Sequence, residues 1–207
     1  MHSTRSEMIR GIPLPKKGTK YVTRASRFNK SSVPVVVAMR DMLHLASTMK
    51  EVKQMIHKKM LKINGKIVLD LHQPIPVFGI FQADKSYKLV VLITGRFSLE
   101  ETHDASRAIK VVGKKIVRGG AVQYNLHDGT NFISKDKISV GDTVYLDFEN
   151  KVKKHSALDK GKKAIIISGS NLGMHGTVMS VNGQQITLKF NENKEEVVLN
   201  QSHLIVQ

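Results

Sequence analysis

The segment spanning residues 47–66, STMKEVKQMIHKKMLKINGK, constrains the fold more than any other part of the chain. Thr48 and Glu51 have the T-x-x-E spacing of a capping box, which predicts that a helix begins there. Asn64-Gly65 predicts a two-residue turn, since both residue types tolerate a positive φ angle. We therefore expect a helix that leads into a small β-hairpin.

The expected helix has one apolar face and one cationic face. On a helical wheel, the apolar face contains Met49, Val52, Met55 and Ile56. The cationic stripe contains Lys50, Lys53 and His57. Such a surface suits a phosphate backbone, although a solvated lysine face is the commoner explanation for a single amphipathic helix.

The distribution of charge favours the first explanation. The 207 residues include 33 Lys and Arg against 17 Asp and Glu, a formal net charge of +16. Residues 1–66 hold 15 basic and 3 acidic side chains, a net of +12, whereas residues 67–207 hold 18 and 14, a net of +4. A field this uneven costs self-repulsion and indicates a polyanionic partner. Nucleic acid is the first candidate and an anionic membrane the second.

Composition excludes several classes of protein. The chain has no cysteine, which rules out disulfides, iron–sulfur clusters and thiolate zinc sites. A hydrophobic content of 41% allows a buried core, divided among two or three small domains. The apolar runs at residues 33–39 and 89–93 are too short to span a bilayer, and the first ten residues lack the apolar core of a signal peptide. We expect a soluble intracellular protein.

The first two of four predicted regions are the cationic ones. Residues 1–33 are predicted to be a basic extended arm, which buries too little apolar surface to become ordered without a partner. Residues 34–84 are predicted to form a domain of two helices and a hairpin. Its first helix is expected to start at Pro34, with Ser32 as the cap, and to run to about Leu45.

The remaining two regions are predicted to be β. Residues 85–157 are expected to form a small barrel or twisted sheet, with a hairpin at Asp128-Gly129 and a cationic break at KVKKH, residues 151–155. Residues 158–207 are expected to form a second β module, with a hairpin at Asn182-Gly183. The expected fold class is therefore α+β with several domains.

Three parts of the sequence resemble known modules. VPVVVAMRDMLHLASTMKEVKQMIHKKMLKINGKIV resembles the S-four type RNA-binding domain, and KAIIISGSNLGMHGTVMSV resembles a KOW motif with Gly169, Gly173 and Gly176 in its glycine rhythm. Between them, GRFSLEE, YNLHDGTN and VGDTVYLD resemble the central domain of one family that carries both modules in this order. The chain thus resembles, over nearly all of residues 33–207, the small-subunit ribosomal protein four of archaeal and eukaryotic type.

The resemblance implies a structural constituent of the small ribosomal subunit. Its expected partners are small-subunit ribosomal RNA and neighbouring ribosomal proteins, and its expected place is the ribosome in the cytoplasm. It implies an SH3-like barrel for the KOW module and no cofactor, metal, small-molecule substrate or membrane. A free RNA-binding regulatory or processing factor built from the same modules stays open as the alternative.

The sequence partly matches several catalytic motifs, but each match lacks a required residue. Pseudouridine synthases with S-four domains need the Asp of a G-R-L-D segment, and this chain has Ser98 at that position, which cannot do the work of a carboxylate. A P-loop needs Lys where Met174 follows Gly173. The nine histidines are spread out without zinc-ligand spacing, and His127-Asp128 precedes a hairpin glycine, which favours turn chemistry. We expect no catalytic or metal-binding residue.

The residues expected to bind RNA lie in three places. Those of the arm are Lys16, Lys17, Lys20, Arg24 and Arg27. Those of the helical domain are Arg40 and His44, which would share a helix face, and Lys50, Lys53, His57, Lys58, Lys62 and Lys66. Those near the glycine loop are Lys162, Lys163 and His175. With 5% aromatics and no Trp, base stacking is a weak hypothesis except at Tyr21 and Phe28 in the arm.

Overall fold

The computed structural model describes residues 2–9, 11–27, 31–104, 106–117, 120–190 and 196–206. The chain divides into two compact units, Met1–Ala105 and Ser106–Gln207. Within the described residues both units are mostly β, and two short α-helices lie in the first. The α+β class is confirmed at this level, and the finer division into four domains stays a prediction.

The N-terminal residues are folded rather than extended. β1 (His2–Thr4) pairs antiparallel with β2 (Tyr21–Thr23). Ile12 is buried, and the backbone N–H of Phe97 donates to the carbonyl of Gly11 at 2.8 Å. The expectation of an extended arm differs from this structure because the few apolar side chains between the cations reach the sheet of the same unit.

The first helix is shorter than expected. Ser32 and Pro34 lie in β3 (Ser32–Pro34), and Pro34 has an extended backbone with φ −71° and ψ 145°. The helix α1 (Val35–Val37) begins after it and continues as a π-helical stretch, Ala38–Met42. Ser32 pairs with Pro76 across β3 and is not a helix cap, so that prediction is wrong.

The second helix, α2 (Met49–His57), begins at the predicted capping box. The N–H of Glu51 donates to Thr48 Oγ1 at 3.3 Å, and Glu51 Oε2 accepts from the backbone N–H groups of Thr48 and Ser47 at 3.3 and 2.7 Å. These hydrogen bonds, that from Ser47 first, lower the pKa of Glu51. Val52 and Ile56 are buried, whereas Met49 at the helix start is exposed.

A five-stranded antiparallel sheet supports α2 in the first unit. The predicted turn joins its first two strands, with φ 51° at Asn64 and 80° at Gly65. The sheet has the order β5-β4-β7-β8-β9, while β6 pairs separately with β3. The strands are β4 (Lys62–Ile63), β5 (Lys66–Ile67), β6 (Pro74–Pro76), β7 (Ile80–Gln82), β8 (Ser86–Val91) and β9 (Phe97–Glu101).

The sheet of the first unit extends beyond the boundary predicted near residue 84. Tyr87 in β8 pairs with Phe81 in β7, and β9 pairs with β8 in turn. The sequence placed these strands in the next domain because their composition changes to β-branched residues there. Composition predicts that a segment forms a strand, whereas the strand with which it pairs determines the unit to which it belongs.

The second unit contains two five-stranded antiparallel sheets. The first has the order β12-β11-β10-β13-β14 around a core that includes Val111, Tyr124 and Val144. Its strands are β10 (Arg107–Ile116), β11 (Val122–Leu126), β12 (Asn131–Ser134), β13 (Thr143–Leu146) and β14 (Val152–Ser156). The hairpin at Asp128-Gly129 is confirmed, whereas KVKKH is not a break, since its residues pair with β13 as an edge strand.

The second sheet of this unit has the order β18-β17-β16-β15-β19. Its strands are β15 (Lys163–Ile166), β16 (His175–Asn182), β17 (Gln185–Phe190), β18 (Glu196–Asn200) and β19 (Leu204–Val206). The hairpin at Asn182-Gly183 is confirmed. The last strand, β19, is only three residues long and pairs with β15, which no local pattern in the sequence predicts.

A buried lysine joins the two sheets of the second unit. Lys110 in β10 is 3% exposed, and its Nζ donates to the carbonyl of Leu204 at 3.0 Å and to that of Gln201. Nearby, the N–H of Val206 donates to Thr143 Oγ1 at 3.1 Å, and Gln201 Nε2 donates to the carbonyl of Val140 at 2.9 Å. The C-terminal strand is therefore held to the first sheet by polar contacts.

We expect Lys110 to make stability depend on pH in the alkaline range. Burial lowers the pKa of Lys110 from 10.5 to about 8. Between these values the unfolded chain binds more protons, so the free energy of unfolding should rise with pH, by about 3 kcal/mol in total. Below the lower value both states are protonated and this contribution is constant.

Urea unfolding of the wild type and of Lys110→Met across this pH range measures the effect. The rise should be missing in Lys110→Met and kept in Lys114→Met, which removes an exposed lysine from the same strand. Equal pH profiles for the wild type and Lys110→Met would contradict the assignment.

Candidate nucleic-acid interface

The outward side of α2 carries the predicted cationic stripe. Lys50, Lys53 and His57 are exposed, opposite the buried Val52 and Ile56. Among the residues that the structure describes, neither lysine has a carboxylate partner. Their charge is therefore available to a ligand outside the chain.

The hairpin that follows α2 extends this surface. Lys58 caps the helix, and Lys62 and Lys66 are exposed on the two short strands. Asn64 is buried between them, where its Oδ1 accepts from the N–H of Ile80 and its own N–H donates to the Ile80 carbonyl, both at 2.8 Å. The turn is thus held to β7, and Lys62 and Lys66 project from strands on either side of it.

Contrary to the prediction, Arg40 and His44 do not share a helix face. Arg40 lies in the π-helical stretch and makes two hydrogen bonds to Asp41, at 3.1 and 2.9 Å. His44 lies beyond that stretch in a left-handed conformation, with φ 54°. Residues four apart share a face only within one continuous helix, and this helix ends at Met42. The positive charge of Arg40 is also partly neutralised by Asp41.

Three cations of the N-terminal segment, Lys16, Lys17 and Lys20, lie on or beside a loop that Arg5 holds, whereas Arg24 and Arg27 follow β2. The Nε of Arg5 donates to the carbonyl of Thr19 at 2.7 Å, and its terminal nitrogens donate to Thr19 Oγ1 at 3.2 Å and to the carbonyl of Pro15. The predicted residues of this segment are exposed, namely Lys16, Lys17, Lys20, Arg24 and Arg27. Phe28 lies outside the described residues.

The predicted residues of the second unit lie near the glycine loop. Lys163 and His175 are exposed and occupy the same face of the β15–β16 pair, in which Lys163 lies opposite Thr177 and His175 opposite Ile165. Lys162 is half-buried, and its Nζ lies 3.4 Å from Ser156 Oγ. Lys163 and His175 are thus the better placed of the three to meet a ligand.

The glycine loop itself has a structural explanation. Gly169 and Gly173 have φ angles of 102° and 87°, which residues with a side chain rarely adopt. Met174 packs against the apolar core of its sheet, in the company of Val178 and Leu188. The Met174 side chain therefore contributes to the packing of the sheet.

His127 and Asp128 belong to a turn and a buried ion pair. Asp128 Oδ1 accepts from the N–H and Oγ1 of Thr130 at 2.9 and 2.7 Å, as expected for turn chemistry. Its Oδ2 lies 2.8 Å from Arg107, which also donates to Asn150 at 2.6 Å. The carboxylate therefore supports the fold of the second unit.

The described ranges contain no group of three or more His, Asp or Glu side chains placed to hold a metal ion. Over the same ranges, no helix combines the length and apolar character needed to cross a bilayer.

Sequence reasoning missed several exposed residues beside the predicted ones. Lys59 follows α2 with φ 57°, and Lys114 and Lys115 lie at the exposed end of β10. Ile67 and Leu69 are also exposed and line a groove that Lys53 and His57 border. The GKK sequence at residues 113–115 was a usable signal, whereas the groove depends on how β5 and α2 meet.

Comparisons with known proteins define the class of this chain as ribosomal. The model of the family described as Ribosomal family S4e matches residues 83–153. Small ribosomal subunit protein eS4 of Archaeoglobus fulgidus is 30% identical over 187 residues, covering 87% of this chain and 80% of that protein. The same protein of Methanospirillum hungatei is 31% identical over 178 residues, covering 80% and 74%.

A solved structure agrees with this assignment. The crystal structure of the 30S ribosomal protein S4e from Thermoplasma acidophilum superposes with a TM-score of 0.70 at 25% identity, covering 85% of this chain and 94% of that one. The chain belongs to the eS4 family of small ribosomal subunit proteins. The family resemblance seen in the sequence is therefore confirmed.

We predict that reversing the charge of α2 abolishes RNA binding without unfolding the domain. The variant carries Lys50→Glu, Lys53→Glu and Lys58→Glu, at positions that are exposed and contribute little to the core. Circular dichroism measures the fold, and filter binding to small-subunit ribosomal RNA measures affinity.

A control variant separates position from net charge. Lys85→Glu, Lys151→Glu and Lys153→Glu change the net charge equally, but these lysines are already paired with Glu101, Glu149 and Asp147. Exposed ion pairs of this kind contribute little to stability, so the control variant should stay folded. Equal loss of RNA binding in both variants, or unchanged binding in the first, would show that the α2 stripe is ordinary solvated surface.

Proposed function

We propose that this chain is a structural constituent of the small ribosomal subunit, binds ribosomal RNA and supports subunit assembly and translation. The observation that carries the proposal is the 30% identity to eS4 of Archaeoglobus fulgidus over 80% of that protein's length. A ribosomal protein of this family is a structural component and not an enzyme, in keeping with the incomplete catalytic motifs of the sequence.

The proposed mode of binding is recognition of charge and shape. Lysine and arginine side chains neutralise phosphates and release the counterions condensed on them, which makes affinity depend steeply on salt. Folded RNA is recognised mainly through its backbone, its 2′-hydroxyls and its unpaired bases. The cations without carboxylate partners on α2 and the following hairpin supply such contacts.

The proposed division of labour follows the four predicted regions. Residues 1–33 and the S-four type domain, residues 34–84, provide most of the phosphate contacts. The KOW module, residues 158–207, adds contacts through Lys163 and His175, and none of the proposed binding residues lies in the central β domain, residues 85–157. The binding residues proposed earlier from the sequence stand as this interface, with Arg40 and Lys162 as its weakest members because both are engaged within the chain.

The proposed partners are small-subunit ribosomal RNA and the ribosomal proteins beside it, and the proposed place of action is the cytoplasmic ribosome. Sedimentation of cell extract through sucrose at moderate salt tests this directly. The chain should remain with the small subunit. Release into the soluble fraction would favour the alternative, a free RNA-binding regulatory or processing factor built from the same modules.

We predict that the N-terminal loop contributes a measurable share of the counterion release. About six phosphate contacts would give a slope of log K against log salt of roughly −4 to −5. Neutralising Lys16, Lys17 and Lys20 to Gln should make the slope shallower by about 2, because three contacts are lost. Fluorescence anisotropy with labelled ribosomal RNA fragments at several salt concentrations provides the slope.

The matched control neutralises Lys85, Lys151 and Lys153 to Gln. These lysines are exposed but paired with carboxylates, so the slope should stay close to that of the wild type. If the two triple variants shift the slope equally, the loop has no special part in binding.

A further inference from the structure

Tyr21 presents an exposed aromatic ring on the cationic loop of the first unit. It is 52% exposed, whereas Val22, the next residue of β2, is 7% exposed. Successive side chains of a strand point to opposite faces, so Val22 anchors the strand while Tyr21 faces outward. An outward ring at this position adds nothing to the core and is available to a ligand.

The surroundings of the ring are polar and cationic. The His2 ring packs edge-on against Tyr21, with centroids 4.9 Å apart and an interplanar angle of 72°. Lys20 Nζ lies 5.4 Å from the Tyr21 centroid. An apolar protein surface or a lipid would pack against apolar side chains. A nucleotide needs an aromatic surface for its base and a cation for its phosphate, and both are present beside Tyr21.

The loop that leads to Tyr21 is preorganised. Arg5 donates to the carbonyls of Pro15 and Thr19 and to Thr19 Oγ1, which ties both ends of the loop to the residue after β1. Gly18 has a φ of 140°, and a Cβ there would lie 2.8 Å from a terminal nitrogen of Arg5. Glycine at this position therefore allows the guanidinium to reach the loop.

We propose that Tyr21 is a stacking site for one unpaired RNA base, with Lys20 and the adjacent lysines on the flanking phosphates and Arg5 as the positioning residue. The proposal rests on the proposed function, since it names the RNA feature that the first unit recognises. Stacking tolerates any base, so the site selects unpaired nucleotides rather than a sequence.

Two RNA hairpins that differ by a single bulged nucleotide test the proposal with the full chain. The wild type should bind the bulged hairpin more tightly. Tyr21→Leu should weaken binding of the bulged hairpin about 5- to 30-fold, the effect of losing one stacked base at an exposed site, and should leave the paired hairpin nearly unchanged. Tyr21→Phe keeps the ring and should behave like the wild type.

A fluorescent base gives a readout that does not depend on affinity. With 2-aminopurine at the bulge, binding of the wild type and of Tyr21→Phe should quench the fluorescence at saturation, whereas Tyr21→Leu should not. Gly18→Ala keeps the ring but strains the backbone at a φ of 140° and displaces Arg5, so it should weaken quenching, and thermal unfolding measures the stability lost with it. If Tyr21→Leu lowers the unfolding temperature, the quenching by the wild type and by Tyr21→Phe still decides, since a ring that does not stack on the bulged base leaves its fluorescence unchanged.

The outcomes separate this inference from the proposed function. Tight binding of both hairpins with equal affinity and no quenching would overturn the stacking site and leave RNA binding intact. Absence of binding to either hairpin and to ribosomal RNA would overturn both. If Tyr21→Leu binds the bulged hairpin normally but no longer sediments with the small subunit, the ring contacts a neighbouring protein and the stacking site is wrong.

Discussion

The cationic surface of the first unit depends on the hydrogen bonds made by one buried residue, Asn64. It occupies a left-handed turn position with Gly65 and, at the same time, closes two 2.8 Å hydrogen bonds with the backbone of Ile80. An unpaired buried amide would cost about 1–3 kcal/mol, so these bonds define how the hairpin meets β7. Because α2 leads directly into the hairpin, the position of its lysines follows from the same contacts.

In the second unit, a buried charged side chain holds separate elements of the fold together. Lys110 places a buried amine between the carbonyls of Gln201 and Leu204 and donates to both oxygens. Asp142, just before β13, accepts from the N–H of Leu158 at 3.0 Å and contacts His155 Nε2 in β14 at 2.7 Å. It therefore ties the segment that leads to the second sheet to the end of the first, while Lys110 links the first sheet to Gln201 and to the C-terminal strand. The two sheets therefore keep a defined relation through polar groups of exact geometry rather than through apolar burial alone.

The sequence predicted those features whose causes are local. Thr48 and Glu51 form the helix cap from atoms three residues apart, and Asn64-Gly65 turns because of its own φ preferences. The failures depend on distant partners. Ser32 had the character of a helix cap, but pairing with Pro76 draws it into a strand, and the N-terminal segment is ordered by bonds that Arg5 makes more than ten residues along the chain. No local pattern reports these contacts.

The sequence predicted where the candidate site lies, but not how much each residue contributes to RNA binding. Counting charges places the excess in the first 66 residues, yet a cation releases counterions only where no carboxylate already neutralises it. In the later part of the chain, Lys85, Lys151 and Lys153 each lie within 3.2 Å of an acidic partner, whereas the lysines of α2 have none over the ranges described. The net charges of +12 and +4 therefore say where the excess lies, but not which lysines are without a carboxylate partner. Pairing in three dimensions decides that, and the unpaired lysines of α2, in the region of greater net charge, are the first place where phosphate binding should be sought.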